Sequence, residues 1–83
     1  MEQVKEIHVR YFAALKEQAG ISQESLKTSA TTARELYRDL EKSHRFSLSE
    51  KHLKVAVNQE YQDLDYCLHS GDSLVFIPPV AGG

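Results

Sequence analysis

The chain has one cysteine, Cys67, which leaves no partner for an internal disulfide and fits a reducing compartment. It has two prolines, and both stand together at Pro78–Pro79. It has no excess of either charge: ten Lys and Arg face twelve Asp and Glu, for a net charge of −2 and a pI near 6.0. That balance leaves no electrostatic footprint for nucleic acid or an anionic membrane. No apolar run approaches the roughly 20 residues of a membrane span. The opening Met1–Glu6 is polar and does not resemble a secretory signal, so a cytoplasmic protein is expected. No glycine-rich phosphate loop occurs, so the chain is not expected to bind ATP itself. His8, His44, His52 and His69 lack metal-ligand spacing, and no metal site is expected. Cys67 has no nucleophile signature around it and reads as a half-buried small residue.

What is present fits one small soluble domain. With 83 residues there is room for one core only. A hydrophobic share of 41% and a charged share of 27% are ordinary for a globular chain. Ile7, Val9 and Tyr11 alternate with His8 and Arg10, the pattern of a half-buried strand over Val4–Phe12. Ala13–Ala19 reads as a short helical turn closed by Gly20. Gln23–Ser29 reads as a second strand forming a hairpin with the first. Thr32 and Glu35 have capping-box spacing, and Ala33, Leu36, Tyr37 and Leu40 follow on one helical face to about Ser43. Residues 44–52 read as a polar loop with Phe46 and Leu48 tucked inward.

Leu53–Val57 is a third strand, Asn58–Glu60 a turn, and Tyr61–Cys67 irregular or a short edge strand. Ser70-Gly71-Asp72 marks a tight turn before the last strand, Ser73–Ile77. One helix covers only one face of such a sheet, which is the α+β arrangement. If the last strand returns beside the first, strands one and five run parallel at the centre. The expected fold is therefore a ubiquitin-like β-grasp: a mixed sheet of about five strands on one main helix. Residues 1–77 would form the domain and residues 78–83 an extended tail.

The tail, Pro78-Pro79-Val80-Ala81-Gly82-Gly83, carries the chemical signal. Two terminal glycines arise by chance in about 0.5% of chains, so the context matters more than the pair. Paired prolines would hold the base extended. Glycines without Cβ would let a narrow channel close around the backbone and leave the terminal carbonyl open to a nucleophile.

Several segments together carry a family resemblance. They are Val9-Arg10-Tyr11-Phe12-Ala13-Ala14-Leu15, Val55-Ala56-Val57-Asn58, Gly71-Asp72 and, above all, Phe76-Ile77-Pro78-Pro79-Val80-Ala81-Gly82-Gly83. In that order they resemble the small subunits of molybdopterin synthase, the MoaD/ThiS-like sulfur carriers of molybdenum-cofactor synthesis. Met1–Glu6 looks like an additional leader. The resemblance implies that a ubiquitin-activating-type enzyme, using ATP and Mg, adenylates the Gly83 carboxylate. A sulfur donor such as a cysteine desulfurase or rhodanese then yields a Gly83 thiocarboxylate. That sulfur passes to cyclic pyranopterin monophosphate within a complex with the large subunit, two copies of each. The chain would be a co-substrate with no catalytic residue or cofactor of its own. Gly82, Ala81, Val80, Pro79 and Pro78 would thread the tail, and Phe12, Tyr61, Val75 and Ile77 would form the partner interface. Alternatives are a carrier for thiamine synthesis or transfer-RNA thiolation, a ubiquitin-like protein modifier, and an interaction domain with an inert tail.

Overall fold

The computed structural model describes residues 3–79. The strands are β1 (Lys5–Tyr11), β2 (Gln23–Thr28), β3 (Lys54–Val57), β4 (Glu60–Gln62) and β5 (Ser73–Ile77). The helices are α1 (Ala13–Ala19) and α2 (Ala33–His44), with a 3-10 turn at Glu50–His52. The sheet order is β2-β1-β5-β3-β4. β1 and β5 are parallel, and every other neighbouring pair is antiparallel. This is the β-grasp arrangement expected from the sequence. A parallel pair needs a long crossover, and here the crossover carries α2 across one face of the sheet.

Period-two alternation divides each strand between two environments. Ile7, Val9 and Tyr11 of β1, Val55 and Val57 of β3, and Leu74 and Phe76 of β5 are buried. Against them α2 packs Ala33, Leu36, Tyr37 and Leu40, and α1 adds Leu15. Each large side chain buried there stabilises the fold by about 1.5–3 kcal/mol. Phe46 enters the same core and stacks on Tyr37, with ring centroids 5.8 Å apart; Leu48 packs partly against it.

The ends of α2 are satisfied locally and from a distance. The Thr32 hydroxyl accepts from the Glu35 N–H at 3.2 Å. The Glu35 carboxylate accepts from the N–H of Thr31, one residue earlier than a regular capping box would use. The N–H groups of Ala33 and Arg34 donate to the carbonyls of Tyr66 and Leu64. The helix stops at Arg45, which adopts the left-handed conformation at φ 57°. Phe46 N–H then donates back to the Glu41 carbonyl at 3.1 Å, which turns the Phe46 ring inward. Asn58 and Gln59, both at positive φ, make the two-residue turn between β3 and β4.

A half-buried Cys67 was the expectation, and the structure corrects it: Cys67 is exposed. The segment is extended there, and Thr32 and Cys67 form an isolated bridge. Its inward position is taken by Leu68, which is buried, so the cysteine faces out. Among the described residues no helix is long and apolar enough to cross a membrane.

Candidate functional site

The registry of β5 decides where the tail leaves the domain. Buried Asp72 sets the start of that strand: its carboxylate accepts from the His69 N–H at 2.8 Å and from Asn58 Nδ2 at 3.0 Å. Its carbonyl accepts from the His8 N–H at 3.0 Å. From there β5 runs between β1 and β3 as far as Ile77, which pairs with Lys54. Pro78 and Pro79 have no N–H to offer and the ladder ends at Ile77. Pro78 is half-buried and Pro79 exposed. The expectations for Val80, Ala81, Gly82 and Gly83 lie outside the described residues.

Cross-strand registers order the outer face of the sheet into rows. Gln23, Arg10, Val75, Ala56 and Tyr61 lie side by side across all five strands. One step nearer the tail, Phe12 follows the Tyr11–Phe76 pair and so stands beside Ile77, which in turn faces Lys54. The row farther from the tail is polar: Ser25, His8 and Ser73. The four apolar residues singled out from the sequence therefore share one face next to the tail exit. Phe12 is 53% and Tyr61 73% exposed, while Val75 and Ile77 are half-buried.

Phe12 points outward because the chain reverses immediately after it. It is extended (φ −122°, ψ 150°) at the start of α1 and makes no side-chain cap. Its carbonyl accepts from the N–H of Leu15 at 3.0 Å. Ala13 takes up the reversal in the left-handed region at φ 52°, a conformation that costs about 1–2 kcal/mol for a residue with Cβ.

Ionic contacts gather elsewhere. Both arginines of α2 reach out of the helix to later segments. Arg38 holds Glu50 with two bonds, at 3.0 and 2.8 Å, and Arg34 contacts Glu50 at 3.4 Å and Asp65 at 3.1 Å. Hydrogen bonding from Arg38 is the main reason the Glu50 carboxyl titrates below its ordinary range. A second network joins the Tyr11 hydroxyl and His44 Nε2 to the Glu24 carboxylate; the histidine contact is 2.8 Å. Burial, and after it Glu24, pushes the Tyr11 phenol far above its usual range. Burial also raises Tyr37 to about 12, and its hydroxyl donates to the Leu48 carbonyl at 2.7 Å.

Neither network resembles a reacting centre. Both tie elements together, and neither lies on the outer rows of the sheet. His8 contacts Ser25 Oγ at 3.1 Å and Gln23 Oε1 at 2.9 Å on the strand surface, a cross-strand polar contact exposed to solvent. Among the described residues, no three His, Cys, Asp or Glu gather as metal ligands. Sequence reasoning missed Arg10, Ala56 and Lys54 as members of the tail-proximal face. Their strand phase was readable, but which strands adjoin was not.

Known proteins share the fold of this chain. Residues 9–83 match the model of the ThiS family. The chain is 34% identical over 80 residues to the molybdopterin synthase sulfur carrier subunit of Haemophilus influenzae, covering 93% of this chain and 99% of that one. A chain in the complex of subunits 1 and 2 of the molybdopterin-converting factor from Helicobacter pylori superposes with a TM-score of 0.62 at 28% identity, over 94% of this chain and 99% of that one. SAMP1, a small archaeal modifier protein of Haloferax volcanii, superposes with a TM-score of 0.75 at 26% identity, over 94% and 99% of the two chains.

Proposed function

This chain belongs to the ThiS family, and from that premise we propose that it is the sulfur carrier subunit of molybdopterin synthase. One observation supports this reading above the others: β5 delivers Pro78–Pro79 to the edge of an exposed apolar face formed by Phe12, Val75, Ile77 and Tyr61. A partner that binds the face thereby receives the tail. Binding energy collected on the sheet then positions the reacting end without contacting it.

The chemistry runs through the Gly83 carboxylate, which is unreactive toward sulfur because oxide would have to leave. A carboxylate oxygen attacks the α-phosphate of ATP in a ubiquitin-activating-type enzyme, and pyrophosphate departs. The terminal sulfur of a persulfide on a donor such as a cysteine desulfurase or rhodanese attacks the acyl carbon, AMP departs, and a thiol reductant cleaves the resulting acyl disulfide to the Gly83 thiocarboxylate and the donor's thiol. The Gly83 thiocarboxylate enters the large subunit and passes its sulfur to cyclic pyranopterin monophosphate. ATP and Mg belong to the activating enzyme, and the acids and bases to the partners. Val80 and Ala81 are narrow enough to thread, and Gly82 supplies clearance.

The test is mass spectrometry of the carboxyl-terminal fragment after incubation with the cognate activating enzyme, ATP and a sulfur donor. Exchange of oxygen for sulfur at Gly83 is expected. Deleting Gly83 should abolish the exchange and leave the melting temperature unchanged. A carboxylate that stays unaltered beside an active control carrier overturns the reading. The likeness to SAMP1 favours a second reading, a protein modifier, in which a lysine amine replaces the persulfide sulfur as the acceptor. Adducts that survive thiol reductants would identify it.

A further inference from the structure

The outer face of the sheet carries a charge pattern opposite to that of the whole chain. The strand residues in the outward phase include three cations, Arg10, Lys27 and Lys54, and one carboxylate, Glu6. Glu6 pairs in register with Lys27 at the end of the sheet away from the tail. The tail-proximal half is left with Arg10 and Lys54 and no carboxylate in the outward phase, in a chain whose net charge is −2. Both side chains are exposed. Among the described residues neither makes an ion pair, whereas Arg34 and Arg38 on the helix are both paired.

The two cations bracket the apolar strip. Arg10 adjoins Val75, and Lys54 adjoins Ile77, on opposite flanks of β5. The shallow concavity around Arg10 is lined by Asn58, Gln59, Ser73 and Val75, none of them acidic. Lys54 lines an edge concavity with three carboxylates: Glu50 and Asp65, which Arg34 and Arg38 hold, and Asp63, just past β4; among the described residues Lys54 makes no ion pair with any of them. A partner that covers Val75 and Ile77 must take water from Arg10 and Lys54 as well. Removing water from an unpaired cation is unfavourable, and an apolar or basic partner surface offers nothing to offset it.

The geometry points to a partner whose docking surface sets carboxylates on both sides of an apolar slot, one against Arg10 and one against Lys54. These two residues would then select the partner: they repel basic surfaces and penalise purely apolar ones, while Phe12 and Ile77 supply burial. The inference rests on the sulfur-carrier reading, which identifies the partner as the large subunit.

The experiment measures binding of the cognate large subunit to the full-length carrier at low and high salt. Variants are Arg10→Glu, Lys54→Glu, the pair together, Lys27→Glu, Phe12→Arg and Ile77→Arg, each checked for an unchanged thermal melt. Wild-type affinity should fall as salt rises. The double reversal should lose about ten-fold or more in affinity and lose that salt dependence. Lys27→Glu, which changes net charge as much as either single reversal but at the other end of the sheet, should lose far less than Arg10→Glu or Lys54→Glu. If the double reversal binds like the wild type while Phe12→Arg binds weakly, docking is apolar alone and the charge inference is overturned. If Lys27→Glu matches Arg10→Glu, overall charge rather than placed carboxylates is responsible, and the inference is again overturned. If Phe12→Arg and Ile77→Arg both bind normally, the face is not the docking surface. If the wild-type carrier does not bind, the function reading itself falls, and the inference with it.

Discussion

The two faces of the sheet come from the same strands, and adjacent residues have opposite fates. On β5, Leu74 and Phe76 are fully buried under α2, while Val75 and Ile77 are half-covered beside Arg10 and Lys54. On β1, Val9 has no exposure while Arg10 stands in solvent. The inner face is packed and apolar. The outer face keeps exposed aromatic surface and, among the described residues, cations that make no ion pair. On the proposed function, stability and recognition should therefore respond to substitutions one residue apart, because side chains alternate across a strand.

The strongest way to break the comparison is from the inside. Phe76→Ala should remove about 3–5 kcal/mol of stability by leaving a cavity against Tyr37, whose ring centroid lies 5.3 Å away. A chemical denaturation curve measures this, and at this chain length such a loss approaches the whole stability. The outer face should answer differently. Phe12→Arg should weaken large-subunit affinity by about ten-fold or more, read by calorimetry, with the thermal midpoint within experimental scatter. A drop in the midpoint equal to that of Phe76→Ala would erase the division between the faces.

Smaller effects separate the helix-side ion network from both faces. Glu50 has a lowered folded-state value, so its contribution is present above the ordinary carboxylate value of 4.5. It is lost as pH falls through the lowered folded value. Glu50→Gln should therefore reduce stability at neutral pH and flatten the acid limb of a stability-against-pH profile, without touching partner affinity. The raised phenol of Tyr37 acts with the opposite sign. Its contribution is present below the ordinary value of 10.0 and fades as pH rises toward about 12. The smallest effect is at the end of α2. Arg45→Gly relieves a left-handed residue and should raise the melting temperature by a few degrees, corresponding to about 1 kcal/mol or less.

Much of this molecule is legible before folding, because the relevant signals are local. The alternation at Ile7, Val9 and Tyr11, the helical spacing from Ala33 to Leu40, and Gly71-Asp72 before β5 all depend on near neighbours. The end of β5 at Pro78–Pro79 is legible for the same reason, since proline acts on its own backbone. Other features left little local trace. Arg45 ends a helix where glycine would be looked for, and Gln59 takes a turn position that favours it too. Cys67 was misplaced because one small residue in an irregular segment has no phase to read, and only burial of Leu68 reveals which way it faces.

The sequence by itself determined which elements form and how each is divided into an apolar and a polar side. Backbone sterics and side-chain periodicity act over a few residues and need no partner. Only the tertiary structure decided which of these sides meet. Arg34 and Arg38 found Glu50 and Asp65 rather than their own helix neighbours, and Tyr11 and His44 converged on Glu24. It was likewise the insertion of β5 between β1 and β3 that brought Phe12, Ile77 and Lys54 into one row beside the tail. Those contacts join residues tens of positions apart, and the register of long-range strand pairing, which burial of the whole core selects, is what sets them.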